Sequence, residues 1–143
     1  MECISYKKGY KYQLAEEYST GITIQPEEDI SSRGDYVMLS KEGNIRIKKG
    51  YAWDGPSGPT IDTLNFMRGS LVHDALYQLM RERKLDKDIH RDLADRLLQQ
   101  MCKEDGMSSL RAWWVYKGVS IFGGGAADPK NLKPVIKAPK PCQ

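Results

Sequence analysis

The sequence has few thiols and no long apolar run. Only three cysteines, Cys3, Cys102 and Cys142, occur among the 143 residues, and no two of them form a CxxC pair. This pattern supports neither a disulfide framework nor a four-thiolate zinc site, and it is typical of a reducing compartment. No stretch approaches the roughly 18 consecutive apolar residues of a membrane-spanning helix. The N-terminus, MECISYKK, carries charges where a signal peptide needs its apolar stretch.

Most of the chain has no excess of positive charge. The sequence carries 22 Lys and Arg against 19 Asp and Glu, and four of these lysines lie in residues 129–143. Removing those four lysines leaves 18 bases against 19 acids in residues 1–128. Proteins that grip nucleic-acid phosphates concentrate positive charge on the folded domain. We therefore expect no nucleic-acid partner.

The first half of the chain predicts short antiparallel strands, followed by a loop. Gly43 and Asn44 lie between two apolar runs and predict a hairpin there. Residues 51–60 are rich in glycine and proline, which disfavour both a helix and a paired central strand, and so predict a shaped loop. The partly alternating runs that predict strands are residues 11–17, 20–25, 35–40 and 44–49.

The second half predicts helices, because apolar residues recur there at helical spacing. Asp62 or Thr63 is the expected cap of the first helix, Gly106 the stop of the second, and Ser108 or Ser109 the cap of the third. Regular structure is expected to end at Gly123. The predicted helices cover residues 64–83, 88–104 and 109–121.

These elements together predict one α+β domain over residues 1–128. A short N-terminal antiparallel β-meander leads into a Gly/Pro loop and three helices. Residues 129–143 are rich in proline and lysine and predict an extended, mobile arm.

A cluster of polar residues within the first two helices is the strongest candidate for chemistry. His73 and Tyr77 are four residues apart and share a helix face. If the first two helices pack antiparallel, Asp95 lies opposite them. A carboxylate there can accept the second ring N–H of His73, which fixes its tautomer and raises its basicity.

The second candidate is a cation site next to the His73 cluster. Asp74 is rotated by about 100° from His73, and the loop at residues 53–58 exposes main-chain carbonyls. Carboxylate and carbonyl oxygens together suit a hard cation such as Ca²⁺. Asp54 is either a turn carboxylate or part of this site. Arg91, four residues before Asp95, can pair with Asp95 or Asp74.

Four motifs carry a resemblance to a known family. They are Asp54-Gly-Pro-Ser-Gly-Pro59, His73-Asp-Ala-Leu-Tyr77, Arg91-Asp-Leu-Ala-Asp95, and Tyr116 with Phe122-Gly123. Over roughly residues 40–125 the sequence resembles domain of unknown function 1353, an uncharacterised family that is frequent in bacteriophage and prophage genomes. The resemblance implies a phage-encoded protein of the host cytoplasm or the virion.

The HDxxY helix, with a loop before it and an Asp on the next helix, also resembles secreted phospholipase A2 of the prokaryotic type. That local resemblance implies a helical hairpin and Ca²⁺-dependent hydrolysis of a lipid ester at a membrane surface. It makes His73 the general base, Asp95 the residue that orients it, and Tyr77 the support of Asp95. The implied calcium ligands are Asp74 and main-chain carbonyls of Trp53, Gly55 and Ser57.

A non-enzymatic alternative stays open. The same polar residues can form a buried scaffold that catalyses nothing, in a virion or tail component or a host-interaction protein. Residues 129–143 would then contact a virion partner along an extended segment. Trp113 and Trp114 are adjacent and cannot both point inward, so one of them is expected to anchor the protein to a membrane or a partner.

Overall fold

The computed structural model of the chain describes residues 4–6, 12–53, 63–129 and 136–138. As predicted, short antiparallel strands precede the main helices in an α+β arrangement. The strands are β1 Ile4–Tyr6, β2 Tyr12–Gln13, β3 Tyr18–Gly21, β4 Ile30–Ser31, β5 Val37–Leu39, β6 Asn44–Ile47, β7 Ala52–Trp53 and β8 Ile136–Ala138. The helices are α1 Leu64–Arg81, α2 Lys87–Glu104, α3 Ser109–Phe122 and the short α4 Gly124–Ala127.

The central sheet has four strands in the order β3–β6–β5–β4. Alternate residues of β5 and β6 face the core, and Leu39 pairs with Ile45 in the antiparallel register. The predicted hairpin joins β5 to β6. Gly43 has a φ of +88°, and a Cβ atom there would lie 2.5 Å from the carbonyl oxygen of Ile22, so the turn requires glycine.

Several strand boundaries differ from the prediction. The run at 11–17 contains a strand only at Tyr12–Gln13, and the run at 20–25 is replaced by Tyr18–Gly21. Strand length here follows the available partner, because β3 pairs with β6 only between Tyr18 and Gly21. The prediction of an unpaired loop is wrong for Ala52–Trp53, which lie before the first loop glycine and pair with β2.

The three main helices lie where the pattern predicts them. Ser108 caps α3, since its hydroxyl accepts from the amide of Arg111, and Gly106 follows α2 with a φ of +98°. The prediction that regular structure ends at Gly123 is wrong, because α4 follows directly.

Helices α1 and α2 form a closely packed antiparallel hairpin. A Cβ atom on Gly69 of α1 would lie 2.9 Å from a methyl group of Leu98 on α2, so glycine allows the close approach. α3 packs through Ala112, Val115 and Val119, all buried. Both indoles of Trp113–Trp114 are exposed, so neither contributes to the core.

The C-terminal segment contributes one described strand. β8 pairs antiparallel with β1, and Ile4 lies opposite Ala138. The sequence pattern predicts an extended conformation there but gives no sign of the pairing partner. Within the described ranges, no helix is long and apolar enough to cross a membrane.

Candidate functional site

The α1–α2 hairpin brings together the three residues of the polar candidate. Nε2 of His73 lies 2.7 Å from Oδ1 of Asp95, and the hydroxyl of Tyr77 donates to the same oxygen at 2.6 Å. The rings of His73 and Tyr77 lie 4.1 Å apart, one helical turn from each other. One carboxylate oxygen is therefore within hydrogen-bond distance of two side chains of the facing helix.

All three side chains are withdrawn from solvent. The exposed fractions are 3% for His73, 2% for Tyr77 and 1% for Asp95. Burial raises the pKa of the Tyr77 hydroxyl, and its hydrogen bond to Asp95 raises that pKa further. Tyr77 is therefore a hydrogen-bond donor at any physiological pH.

The two ring nitrogens of His73 have different surroundings. Among the described residues, the buried Nδ1 atom has no hydrogen-bond partner. Oδ1 of Asp74 lies 3.7 Å from this atom, which is beyond hydrogen-bond distance. Burial lowers the pKa of His73, but the interactions with Asp74 and Asp95 outweigh it, so the pKa is raised above its ordinary value.

Gly123 closes the cluster on the side of Tyr77. A Cβ atom on Gly123 would lie 2.9 Å from the Tyr77 hydroxyl oxygen and closer still to the carbonyl oxygen of Val119. Only glycine lets the end of α3 approach Tyr77 so closely. Sequence reasoning missed this role, although the Gly123–Gly125 run is the signal that marks a close approach.

The described hydrogen bond of Arg91 goes to the end of α3 and not to Asp95 or Asp74, the partners that the sequence predicts. Arg91 also lies close enough to Tyr77 to lower the pKa of its hydroxyl. The Nη2 atom of Arg91 donates to the carbonyl of Ser120 at the end of α3. A Cβ atom on Gly124 would lie 3.5 Å from the guanidinium carbon, so Arg91 packs under α4. It also lines a cleft of about 580 Å³ with Lys87, Asp88, Asp92, Gly124, Gly125 and Asp128.

The start of the Gly/Pro loop is attached to the helix that carries His73. The indole Nε1 of Trp53 donates to the hydroxyl of Ser70 at 3.2 Å, and that hydroxyl donates to the carbonyl of Met67. Ser70 lies one turn before His73. The hydrogen bond therefore holds the last described residue of β7 beside the candidate site, a contact that the spacing alone does not reveal.

The predicted calcium ligands are described only in part. Asp74 and Trp53 lie within the described residues, whereas Asp54, Gly55 and Ser57 lie outside them. Asp74 fits the ligand role in one respect, because its side chain is 20% exposed and adjoins Nδ1 of His73. Among the described residues, no group of three or more acidic, His or Cys side chains is placed to bind a metal ion.

The chain is therefore a small α+β domain with a buried His–Asp–Tyr cluster on a helical hairpin. The chain matches the family described as "Protein of unknown function (DUF1353)" over residues 31–119, which is more than half of its length. The chain belongs to that family. No curated protein and no solved structure matches this chain.

Proposed function

We propose that the protein is a hydrolase of lipid esters in which Nδ1 of His73 activates water and calcium assists. The observation that carries the proposal is the unequal environment of the two ring nitrogens of His73. Nε2 is held by Asp95, whereas Nδ1 is buried without a hydrogen-bond partner among the described residues. A general base needs this asymmetry, because one nitrogen must be anchored while the other accepts a proton.

Asp95 selects the tautomer that the reaction requires. In this proposal its carboxylate accepts a hydrogen bond from the Nε2–H group, so the neutral ring keeps its lone pair on Nδ1. Tyr77 donates to the same oxygen and holds it in place. In the proposed step, water attacks the ester carbonyl carbon while Nδ1 takes its proton. The carbon–oxygen bond to the leaving alcohol then breaks, and the imidazolium returns the proton to that alcohol.

Calcium would be held by Asp74 with main-chain carbonyls of Trp53, Gly55 and Ser57, as in the resemblance to phospholipase A2. When bound, the cation supplies positive charge where the carbonyl oxygen becomes negative. The contribution of the protein is to place the Asp74 carboxylate beside Nδ1, 3.7 Å away. The choice of a lipid ester rests on the same resemblance.

A second candidate function is favoured by the burial of the cluster. His73, Tyr77 and Asp95 are each at most 3% exposed, as expected of a polar network that specifies how two helices pack. Under this proposal the protein is a non-enzymatic virion or tail component, or a host-interaction protein. Residues 129–143 then contact a virion partner.

The tautomer of His73 tests the first proposal directly. The chain has two histidines, so nitrogen NMR at alkaline pH reports each neutral ring separately, with His90 as the internal comparison. We expect the proton of His73 on Nε2 and a lone pair on Nδ1. A proton on Nδ1 would contradict the role of His73 as a base.

Calcium binding and hydrolysis separate the two candidate functions. At one hundred times its dissociation constant, calcium should stabilise the fold by about 2.7 kcal/mol, and Asp74→Asn should abolish this shift. Asp88→Asn, on the exposed first turn of α2, is the matched control. Release of fatty acid from phospholipid should disappear in His73→Asn and persist in His90→Asn. The absence of both calcium stabilisation and hydrolysis in the wild type would favour the scaffold.

A further inference from the structure

The outward side of α3 is apolar, although the helix lies on the surface. Four large apolar side chains are exposed there, by 69% for Leu110, 43% for Trp113, 62% for Trp114 and 69% for Ile121. At about 100° per residue, these four and Lys117 fall within a sector of about 100°. We call this set the outer face of α3.

The opposite side of the same helix already packs on the protein. Ala112, Val115 and Val119 are buried against the second apolar cluster, which includes Phe66 and Leu98. The helix is therefore apolar on both sides, which is the pattern of a helix that is covered on both sides. The outer face is thus available for an external partner.

The charges of α3 have one sign. From Gly106 to Ala127 the sequence contains Arg111 and Lys117 and no acidic residue. The Lys117 ammonium lies 5.5 Å from the centre of the Trp113 ring and 5.9 Å from that of Tyr116. Indoles combined with lysine and aliphatic side chains are typical of helices that lie in the interface of an anionic membrane.

We propose that the outer face of α3 docks on an anionic phospholipid surface. The inference rests on the proposed function for the choice of lipid, and it names the surface through which a lipid-ester hydrolase would reach its substrate. A second copy of the chain fits less well. In a two-fold interface the face meets itself, so two Lys117 ammonium groups of like charge would enter one interface without an acidic residue of α3 to pair with.

Co-sedimentation with vesicles tests this surface without any need for hydrolysis. The vesicles contain diether phosphatidylglycerol mixed with diether phosphatidylcholine, or diether phosphatidylcholine alone, so that they carry no ester. We expect binding to the mixed vesicles and a blue shift of indole fluorescence. Trp53 is only 7% exposed and should contribute little to that shift.

Three variants sharpen the test. Trp113→Ala combined with Trp114→Ala should reduce the partition coefficient at least tenfold, because two large apolar groups no longer enter the interface. Lys117→Ala should reduce it about fivefold on the anionic vesicles and hardly at all on the neutral ones. Leu64→Ala removes a side chain that is 94% exposed on α1 and should bind like the wild type.

Each contrary outcome is distinct. Absence of wild-type binding to the anionic vesicles, or equal binding by the double tryptophan variant, would overturn the inference. A wild-type dimer that the double variant abolishes in sedimentation velocity would overturn it in favour of a second copy. Binding through α3 without hydrolysis of ester lipids would uphold the surface and refute the proposed activity. Hydrolysis without binding through α3 would uphold the proposed activity and overturn the inference about the surface.

Discussion

Two clusters on α2 contain the same kind of chemistry in opposite surroundings. Asp95 accepts from Tyr77 at 2.6 Å and lies beside His73, and Asp92, one turn earlier, accepts from Tyr116 at 2.5 Å. Asp95 is buried, whereas the side chain of Asp92 is 61% exposed. Nearly equal hydrogen-bond lengths therefore accompany very different solvation.

Distance alone therefore does not measure how much a polar contact contributes to stability. Water replaces a lost partner at the surface, but it cannot do so between α1 and α2. The cluster around Asp95 is therefore expected to dominate stability, while the cluster around Asp92 contributes little.

Asp95→Ala should have the largest effect. It leaves the Nε2 atom of His73 and the hydroxyl of Tyr77 buried without an acceptor, so the free energy of unfolding should fall by about 3–5 kcal/mol. Asp92→Ala is the matched control and should stay within about 0.5 kcal/mol of the wild type. Urea denaturation measures both. Equal losses would remove the distinction between the two clusters.

Gly123→Ala should have the next largest effect, because its methyl group would collide with Tyr77 and with the carbonyl of Val119. We expect a loss of about 1–3 kcal/mol in urea denaturation. At Gly118, on the same helix, a Cβ atom would meet nothing within 4 Å. Gly118→Ala should therefore stabilise the protein by about 1 kcal/mol. A neutral Gly123→Ala would show that the end of α3 does not constrain Tyr77.

Tyr77→Phe should have an intermediate effect. It removes one of the two donors to Asp95 and should lower the free energy of unfolding by about 1–2 kcal/mol. Tyr116→Phe removes the corresponding donor to Asp92 and should change it by less than about 0.5 kcal/mol. Thermal melting of both variants checks this. A larger loss for Tyr116→Phe would contradict the role assigned to burial.

The pH dependence of Asp92 should give the smallest effect. The hydrogen bond from Tyr116, and then that from Arg96, hold the pKa of Asp92 below its ordinary value. The stabilisation from its ionised form is therefore complete above about pH 4 and is lost as the pH falls through the lower folded-state pKa. The melting temperatures of the wild type and Asp92→Asn should converge over that acidic range. A gap that widens on acidification would reverse the assigned sign.

Helical spacing was sufficient to predict the centre of the candidate site. A separation of four residues places His73 and Tyr77 on one face, and the short connection between α1 and α2 makes the hairpin antiparallel. The position of Asp95 opposite them follows from those two facts. By contrast, the attachment of Trp53 to Ser70 and the contact of Gly123 with Tyr77 depend on how separate elements meet. Spacing within one element carries no information about such contacts.

The positions of the helices, the Ser108 cap of α3 and the hairpin at Gly43 follow from the local sequence, because they depend on periodicity and on backbone preferences within a few residues. The other predicted cap is wrong in part, because Thr63 occupies the N-cap position of α1 but its side chain makes no cap hydrogen bond. Tertiary packing sets which strands pair, leaves both Trp113 and Trp114 exposed, and directs Arg91 to the carbonyl of Ser120 at the end of α3. These outcomes depend on the packing of segments distant in the chain. Because the interior is closely packed, whether one side chain is buried depends on how its neighbours from other segments fill the same space.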